Sequence, residues 1–338
     1  MEATRIVVGV DGSATSQVAL RWAVGLGDVL GAEVVAIHAL GLLDRWHDPD
    51  ASARSWRRTL CDLVERTWCV PLARSPGSHR VEVRDGDPVD VLLAAAEDEP
   101  ADLLVVGSRG VGDRPELALG STSLRVLQAA RVPVLVVPAL RPGAASVDEL
   151  RLHHLLVGVD RSDASRAALE LAADVAAALG GSLSVLEVVD YVPPFPLGEA
   201  ITTASGDEGP AASEAMVLLE AEVRDVRARG IGVQVIVRSG EPGPTLLEVA
   251  DDMDADLVVV GTRGCGGAAE LLLGSVARTV ADRARRPTLV VPAKAGTVHL
   301  RRRAGGRLSA GRRARGREPA ARRGRESQRR PRSHPRWQ

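Results

Sequence analysis

One glycine-rich pattern occurs twice in the chain of 338 residues, each time between two apolar segments. The pattern is Gly-x-x-Gly, nine further residues and then Gly-Ser, and it spans Gly107–Ser121 and again Gly261–Ser275. A glycine just after a buried strand lets the backbone approach a ligand, and a helix that starts at serine offers free N–H groups to an anion. The pattern therefore predicts a duplicated phosphate-binding unit.

The duplication extends beyond this pattern. The segments Val8–Asp11 and Val157–Asp160 are related in sequence, and their aspartates lie 149 positions apart, while the first glycines of the two patterns lie 154 apart. A nearly constant offset over a whole domain indicates an internal repeat. We therefore predict a first domain at 1–140, a linker at 141–153, a second domain at 154–293 and a tail at 294–338.

Apolar strand-like segments alternate with helical segments in both repeats. This order predicts an α/β fold of two repeated doubly wound domains, each with a five-stranded, mainly parallel sheet and helices on both faces. Ligands of such sheets bind at the carboxyl ends of the strands, where the strand order reverses. The predicted strands are 5–10, 33–39, 80–84, 102–106 and 133–137, then 154–159, 183–189, 232–238, 256–260 and 287–291.

The composition narrows the class of protein. Hydrophobic residues make up 45% of the chain but aromatic residues only 2%, so the cores must be aliphatic. No apolar segment reaches the roughly 18 residues of a membrane span. The three cysteines show neither metal-type spacing nor an even disulfide set, which favours a reducing compartment. We expect a cytoplasmic protein that does not associate with membranes.

The net charge of −1 hides a strongly basic tail. Residues 299–338 hold 15 arginines and two acids, a charge of +13, so the rest of the chain carries −14. The tail could bind nucleic acid or an acidic membrane surface, fold back on the acidic body, or be an adventitious extension without a role. Because only Trp337 accompanies the arginines, we favour the last alternative and expect no nucleic-acid binding.

Two common phosphate motifs do not explain the glycines. The only lysine, Lys294, is misplaced for a Walker motif, and the short G-x-G-x-x-A match at Gly264–Ala269 lies too late in its domain for a dinucleotide fingerprint. The chain instead resembles a tandem universal stress protein of the ATP-binding class. The resemblance covers about residues 4–293, and it implies a Rossmann-like fold similar to the adenine nucleotide alpha hydrolases. It is carried by Val8–Ser13, Gly107–Gly110, Gly120–Ser123 and Pro133–Pro138, and by Val157–Asp160, Gly261–Gly264, Gly274–Ala277 and Pro287–Pro292.

The resemblance implies ATP as the ligand, with Mg²⁺ held mainly by the phosphates. Aspartates would contact the adenosine end, strand residues would line the adenine pocket, and glycines with hydroxyls would hold ribose and phosphates. The aspartates could instead be plain helix-entry residues, and the glycines could merely form tight turns. The implied binding residues are Gly9, Asp11, Ala39, Gly107, Gly110, Gly120, Ser121, Thr122 and Ser123, and Gly158, Asp160, Val188, Gly261, Gly264, Gly274, Ser275 and Val276.

The function that the resemblance implies is regulation rather than catalysis. ATP would stabilise one conformation, report stress or energy state, and control an unknown protein partner. With no Walker lysine and no obvious general base, any ATP hydrolysis should be weak. Two alternatives stay open: a slow ATPase or autophosphorylating enzyme that uses Ser121, Thr122 or Ser123, and a nucleic-acid-associated regulator that acts through the tail.

The two predicted sites are unequal, and the two last strands need partners. Ser123 offers a hydroxyl where Ala277 offers none, and the first spacer holds Asp113-Arg114, so we expect two ATP sites of different affinity. Strands 133–137 and 287–291 would be open sheet edges unless paired. The resemblance implies that such edges meet across a dimer, so the two repeats should form an intramolecular pseudo-dimer. A further homodimer stays open.

Overall fold

In the part of the chain that the structure describes, ten strands form one mixed, mostly parallel sheet. The computed structural model describes residues 4–40, 51–110, 119–139, 152–189, 210–264 and 273–293. The linker, the tail and both spacers of the glycine pattern, with Asp113, Arg114 and Cys265, lie largely or wholly outside these residues. The strands are β1 Arg5–Gly9, β2 Glu33–Leu40, β3 His79–Asp85, β4 Leu103–Gly107, β5 Val134–Val137, β6 His154–Val159, β7 Ser182–Val189, β8 Val233–Ser239, β9 Leu257–Gly261 and β10 Thr288–Val291.

Helices cover the sheet on both faces. None of the helices in the described ranges is long and apolar enough to cross a membrane. The helices are α1 Ala14–Leu30, α2 Ala51–Leu63, α3 Val70–Arg74, α4 Pro88–Asp98, α5 Ser121–Ala129, α6 Asp163–Leu179, α7 Pro210–Glu222, α8 Arg224–Ala228, α9 Pro242–Asp252 and α10 Ser275–Arg283.

The strand order is β3-β2-β1-β4-β5-β10-β9-β6-β7-β8. Within each repeat all pairings are parallel, as expected when helices connect consecutive strands. One apolar core lies between the sheet and helices α1, α3, α6, α7 and α8, and the other lies under α4, α5, α9 and α10. The predicted α/β class is confirmed.

The two half-sheets join through their last strands. β5 and β10 pair antiparallel, with Leu135 opposite Leu289 and Val134 opposite Val290. Each strand is buried along its whole length, so neither could remain an open edge without exposing apolar side chains and unpaired backbone groups. The five strands of each repeat are thus parts of one ten-stranded sheet.

Capping residues explain where the first helix of each repeat begins and ends. The hydroxyl of Ser13 accepts a hydrogen bond from the N–H of Ser16, and Ser162 does the same for Ser165. Both helices end at a left-handed glycine, Gly31 with φ of 67° in the first repeat and its counterpart with φ of 72° in the second. Because α1 and α6 start at matching positions, both repeats place the preceding turn at the same point of the sheet.

One turn of the helical segment that follows the second strand of each repeat, after β2 and after β7, is one residue longer in the first repeat. In the first repeat a π-helical turn at Val64–Trp68 links α2 to α3, and the N–H of Cys69 donates to the carbonyl of Val64, five residues back. In the second repeat the N–H of Val223 donates to the carbonyl of Leu219, four residues back. The π turn absorbs one extra residue, and Trp68 at its end packs against Gly12.

Candidate functional site

The strand order reverses between β1 and β4 in the first repeat and between β6 and β9 in the second. At the carboxyl ends of these strands lie two elements in each repeat. We call 11–13 and 160–162 the aspartate turns, and 107–110 and 261–264 the glycine loops. The sequence-predicted aspartates and loop glycines are therefore brought together at the switch point of their own half-sheet.

Hydrogen bonds hold the aspartate in each turn. The N–H of Ser13 donates to Oδ1 of Asp11 at 3.0 Å. In the second repeat the N–H of Ser162 donates to Oδ1 of Asp160 at 3.1 Å, and the Ser162 hydroxyl lies 2.6 Å from the same oxygen. Each carboxylate thus accepts a bond from its own turn, which fixes the direction in which it points.

The second glycine of each loop lies against this carboxylate. A methyl group added at Gly110 would lie 2.7 Å from Oδ2 of Asp11, and one added at Gly264 would lie only 2.1 Å from Oδ2 of Asp160. Both distances are far inside van der Waals contact, so any side chain would displace the carboxylate. Glycine at this position therefore lets the carboxylate keep its place beside the loop backbone.

Serine hydroxyls connect the two elements. The Ser13 hydroxyl lies 3.3 Å from the carbonyl oxygen of Arg109, and the Ser162 hydroxyl lies 3.1 Å from that of Arg263. In the first repeat the Thr15 hydroxyl also donates to the Arg109 carbonyl. The aspartate turn and the glycine loop therefore form one hydrogen-bonded unit in each repeat.

The helices that follow the glycine pattern begin without a side-chain cap. α5 starts after Gly120 and α10 after Gly274, and no side chain of the described residues caps either helix. The N–H of Gly120 donates to the carbonyl of Ser108, and that of Gly274 to Thr262, both at 2.7 Å, which holds each helix start against its loop. These helix N-termini are suited to bind an anion through N–H groups and the helix dipole.

The Ser123 hydroxyl, predicted from the sequence to bind the ligand, makes a hydrogen bond inside the protein. The Ser123 side chain is buried and its hydroxyl donates to the carbonyl of Gly107 at 2.6 Å, so the proton is already used inside the protein. The corresponding Ala277 is buried without any such bond. The difference between Ser123 and Ala277 is therefore one of loop support rather than of a phosphate contact through the hydroxyl proton.

A cavity of about 460 Å³ lies in the second repeat. Its lining includes the Asp160 carboxylate, the apolar side chains of Leu186, Val188 and Leu246, and Ser275 at the start of α10. Gly158 forms part of the floor, and a methyl group there would lie 3.2 Å from Leu246. The cavity thus combines apolar walls with one carboxylate and one uncapped helix N-terminus, as small-molecule sites commonly do.

All eight second-repeat residues predicted from the sequence line this cavity, namely Gly158, Asp160, Val188, Gly261, Gly264, Gly274, Ser275 and Val276. The first-repeat residues occupy the matching places in the fold. Gly9 ends β1, Ala39 lies near the end of β2 and packs against the α4–α5 core, and Gly107 ends β4. Ser121 and Thr122 open α5.

Sequence reasoning missed part of the cavity wall. Pro242 and Leu246 come from α9, and Leu186 comes from β7 two residues before Val188. The alternation of side chains along β7 could have identified Leu186, because residues i and i+2 of a strand share a face. Nothing in the sequence signals Leu246, since the packing of α9 over the strand ends decides its place.

Comparisons with known proteins agree with this architecture. The model of the universal stress protein family matches residues 2–138 and 151–292. A universal stress protein of Mycolicibacterium smegmatis is 31% identical over 301 residues, which cover 85% of this chain and 96% of that protein. The crystal structure of a universal stress protein from Archaeoglobus fulgidus has the same fold, with a TM-score of 0.64 and 22% identity over 87% of this chain and all of that one.

A second protein from Archaeoglobus fulgidus was solved in complex with dAMP. It is 25% identical and matches 42% of this chain and 99% of its own, with a TM-score of 0.32. The family model, by contrast, matches both repeats of the present chain over most of their length. The chain belongs to the universal stress protein family.

Proposed function

We propose that the chain is an ATP-binding regulatory protein whose nucleotide-dependent conformation responds to stress or energy state. The observation that carries the proposal is the cavity of the second repeat, which is lined both by Asp160 and by the uncapped start of α10. Its volume of about 460 Å³ lies within the range of roughly 300–1,000 Å³ that small-molecule sites occupy.

The cavity chemistry fits the parts of an adenine nucleotide. The apolar side chains of Val188 and Leu246 suit an adenine ring, and the Asp160 carboxylate suits hydrogen-bond donors such as ribose hydroxyls or the adenine amine. The N–H groups and hydroxyl at Gly274 and Ser275 suit phosphate oxygens. Arg263 also lines the cavity and brings a positive charge to the same space.

Mg²⁺ would be bound mainly by phosphate oxygens and water. Across the described ranges no three His, Cys, Asp or Glu side chains converge on a common point, so the protein would add few ligands of its own. Mg²⁺ commonly binds in this way, with one or two protein ligands besides the substrate phosphates. The ion would neutralise part of the phosphate charge and so favour binding.

We further propose that the first repeat holds a second ATP site and that the two repeats act as an intramolecular pseudo-dimer. The matched aspartate turns and glycine loops support the second site, and the pairing of β5 with β10 supports the pseudo-dimer. ATP would favour one arrangement of the chain and thereby expose or hide a surface for a protein partner. Purified protein should hydrolyse ATP more slowly than about 1 per second, the low end of ordinary enzymes.

Native mass spectrometry and calorimetry with MgATP test the proposal. We expect up to two nucleotides per chain. Asp160→Asn should weaken the second site about tenfold, because one charge-assisted hydrogen bond is lost. Asp163→Asn is the matched control, since Asp163 lies three residues on, exposed on α6 and outside the cavity. An unsubstituted chain that binds no adenine nucleotide at millimolar concentration would overturn the proposal.

A further inference from the structure

The aspartate turn of the second repeat contains a residue in a conformation that favours glycine. Arg161 has a φ of +65°, in the left-handed region, and the matching residue of the first repeat is Gly12 with a φ of +80°. A side chain other than glycine, asparagine or aspartate is uncommon there and persists only when surrounding contacts impose it. Something must therefore hold Arg161, which directly follows Asp160.

The contact that holds Arg161 is an ion pair with a buried glutamate, while the arginine side chain itself is 39% exposed. Its guanidinium nitrogen Nη2 lies 2.6 Å from Oε1 of Glu187, and Glu187 is only 8% exposed. Glu187 lies on β7 immediately before Val188, which lines the cavity. Because side chains alternate along a strand, Glu187 points to the opposite face of the sheet. The pair therefore ties the aspartate turn to the strand that forms the cavity wall.

The first repeat supports the same turn with different side chains. Trp68 lies over Gly12 so closely that a methyl group there would be 2.5 Å from the indole ring. His38 meets Trp68 edge-on, with ring centroids 5.1 Å apart, and its Nδ1 lies 2.8 Å from the carbonyl oxygen of Val10. Aromatic packing thus covers a glycine turn in this repeat.

The matching positions are exchanged as a set. Gly12 corresponds to Arg161 and His38 to Glu187, in both cases 149 positions later. Trp68 corresponds to Glu222. Trp68 directly precedes Cys69 and Glu222 directly precedes Val223, and the N–H groups of Cys69 and Val223 close the matching helical turns. A side chain at position 12 would collide with Trp68, whereas Glu222, at the position that matches Trp68, is one of the charges near Glu187. The residue of the turn, the residue on the second strand and the residue on the helical segment therefore all differ between the two repeats.

The charges around Glu187 leave Arg161 as its main support. Asp160 and Glu222 add negative charge nearby, and Arg166 contacts Glu222 at 4.0 Å rather than Glu187. Burial raises the pKa of Glu187 above its ordinary value and Arg161 opposes the rise, while Oε2 of Glu187 has no hydrogen-bond partner among the described residues. An ion pair with one buried partner can define a local geometry.

We infer that Arg161 and Glu187 are positioning residues of the second site, which hold the left-handed turn so that the Asp160 carboxylate faces the cavity. The inference rests on the proposed function, because its effect is read in nucleotide affinity. It assigns to the second site a support that the first site lacks, since Gly12 needs no restraint of this kind.

The test uses full-length protein in which Gly120→Asp places a carboxylate at the start of α5, so that calorimetry reports the second site alone. Glu187→Ala should weaken ATP binding at least fivefold, and Glu187→Gln, which still accepts from Arg161, should restore most of it. Arg161→Gly should cost about twofold, because glycine adopts the turn by itself. Glu187→Ala in the Arg161→Gly protein should then cause no further loss.

Two controls keep the outcomes apart. Glu220→Ala removes an exposed carboxylate that pairs with Arg227 away from the cavity, and it should leave ATP affinity unchanged. Hydrogen exchange of the Ser162 amide, which donates to Asp160, should accelerate in Glu187→Ala while thermal unfolding stays cooperative. Equal losses from Glu187→Ala with and without Arg161→Gly would overturn the inference.

Failure of the proposed function gives a different result. If the unsubstituted chain binds no ATP, the regulatory proposal fails, and the exchange rate of the Ser162 amide alone decides whether the pair holds the turn. If ATP binds but Glu187→Ala changes neither the affinity nor the exchange rate, only the positioning inference fails.

Discussion

The two repeats support the same aspartate turn with different side chains. In the first repeat Gly12 is covered by Trp68, which the π-helical turn carries, and His38 contacts the ring. In the second repeat Arg161 occupies the same backbone conformation and pairs with the buried Glu187. The comparison shows that a short motif can specify the path of the backbone while the side chains that support this path come from distant segments.

The largest expected effect comes from placing the arginine of the second repeat's turn at the matching position of the first repeat. Gly12→Arg should lower the free energy of unfolding by roughly 3 kcal/mol, because the new side chain must displace Trp68 from the turn. Arg161→Gly should cost less, about 1–2 kcal/mol, because relief of the left-handed conformation offsets part of the cost of leaving the buried Glu187 carboxylate without its partner. Urea unfolding measures both, and equal costs would show that the two supports are interchangeable.

The second glycine of the loop should matter more in the second repeat. Gly264→Ala should weaken ATP binding there tenfold or more, about 1.4 kcal/mol, because its methyl group would displace Oδ2 of Asp160 from a distance of 2.1 Å. Gly110→Ala starts from 2.7 Å and should cost the first site less. Calorimetry on proteins with the other site blocked compares the two, and a larger loss for Gly110→Ala would contradict this ranking.

Ser123→Ala should separate loop support from ligand contact. The substitution leaves the carbonyl of Gly107 without its buried donor, so stability should fall by about 1 kcal/mol. ATP affinity of the first site should stay within twofold, because the hydroxyl proton points into the protein. Thermal unfolding and calorimetry give the two values, with the exposed Ser121→Ala as control for stability. A tenfold loss of affinity without loss of stability would instead indicate that the Ser123 hydroxyl contacts a phosphate.

The smallest expected effect is a change in the pH dependence of stability. Burial raises the pKa of Glu187, so its contribution to stability is present at low pH and is lost as the pH rises through this raised value. The free energy of unfolding of Glu187→Gln, minus that of the unsubstituted protein, should therefore be larger at pH 7 than at pH 5. The variant is thus relatively more stable at the higher pH.

Glu220→Gln provides the control of opposite sign. The hydrogen bond from Arg227 lowers the pKa of Glu220, so its contribution is present near neutral pH and is lost as the pH falls. The two variants should show opposite slopes against pH in chemical denaturation. Parallel slopes would mean that the Glu187 carboxyl is not the group that responds.

Much of the fold could be predicted from local sequence. The helix that starts at Ser13 and ends at Gly31 follows from capping chemistry, and the strands before each glycine loop follow from continuous apolar segments. The eight cavity residues predicted for the second repeat follow from the resemblance and their spacing. Leu246 could not be predicted, because helix packing rather than spacing brings it to the strand ends.

The sequence by itself determined the repeat, the order of strands and helices, and the positions of the aspartates and glycines, because these depend on residues close together in the chain. Only the tertiary structure decided that β5 pairs with β10, that the Ser123 hydroxyl is turned towards Gly107, and that Glu187 supports Arg161 where Trp68 covers Gly12. Those contacts join residues that lie from about 15 to more than 150 positions apart, and local propensity carries no information about such pairs.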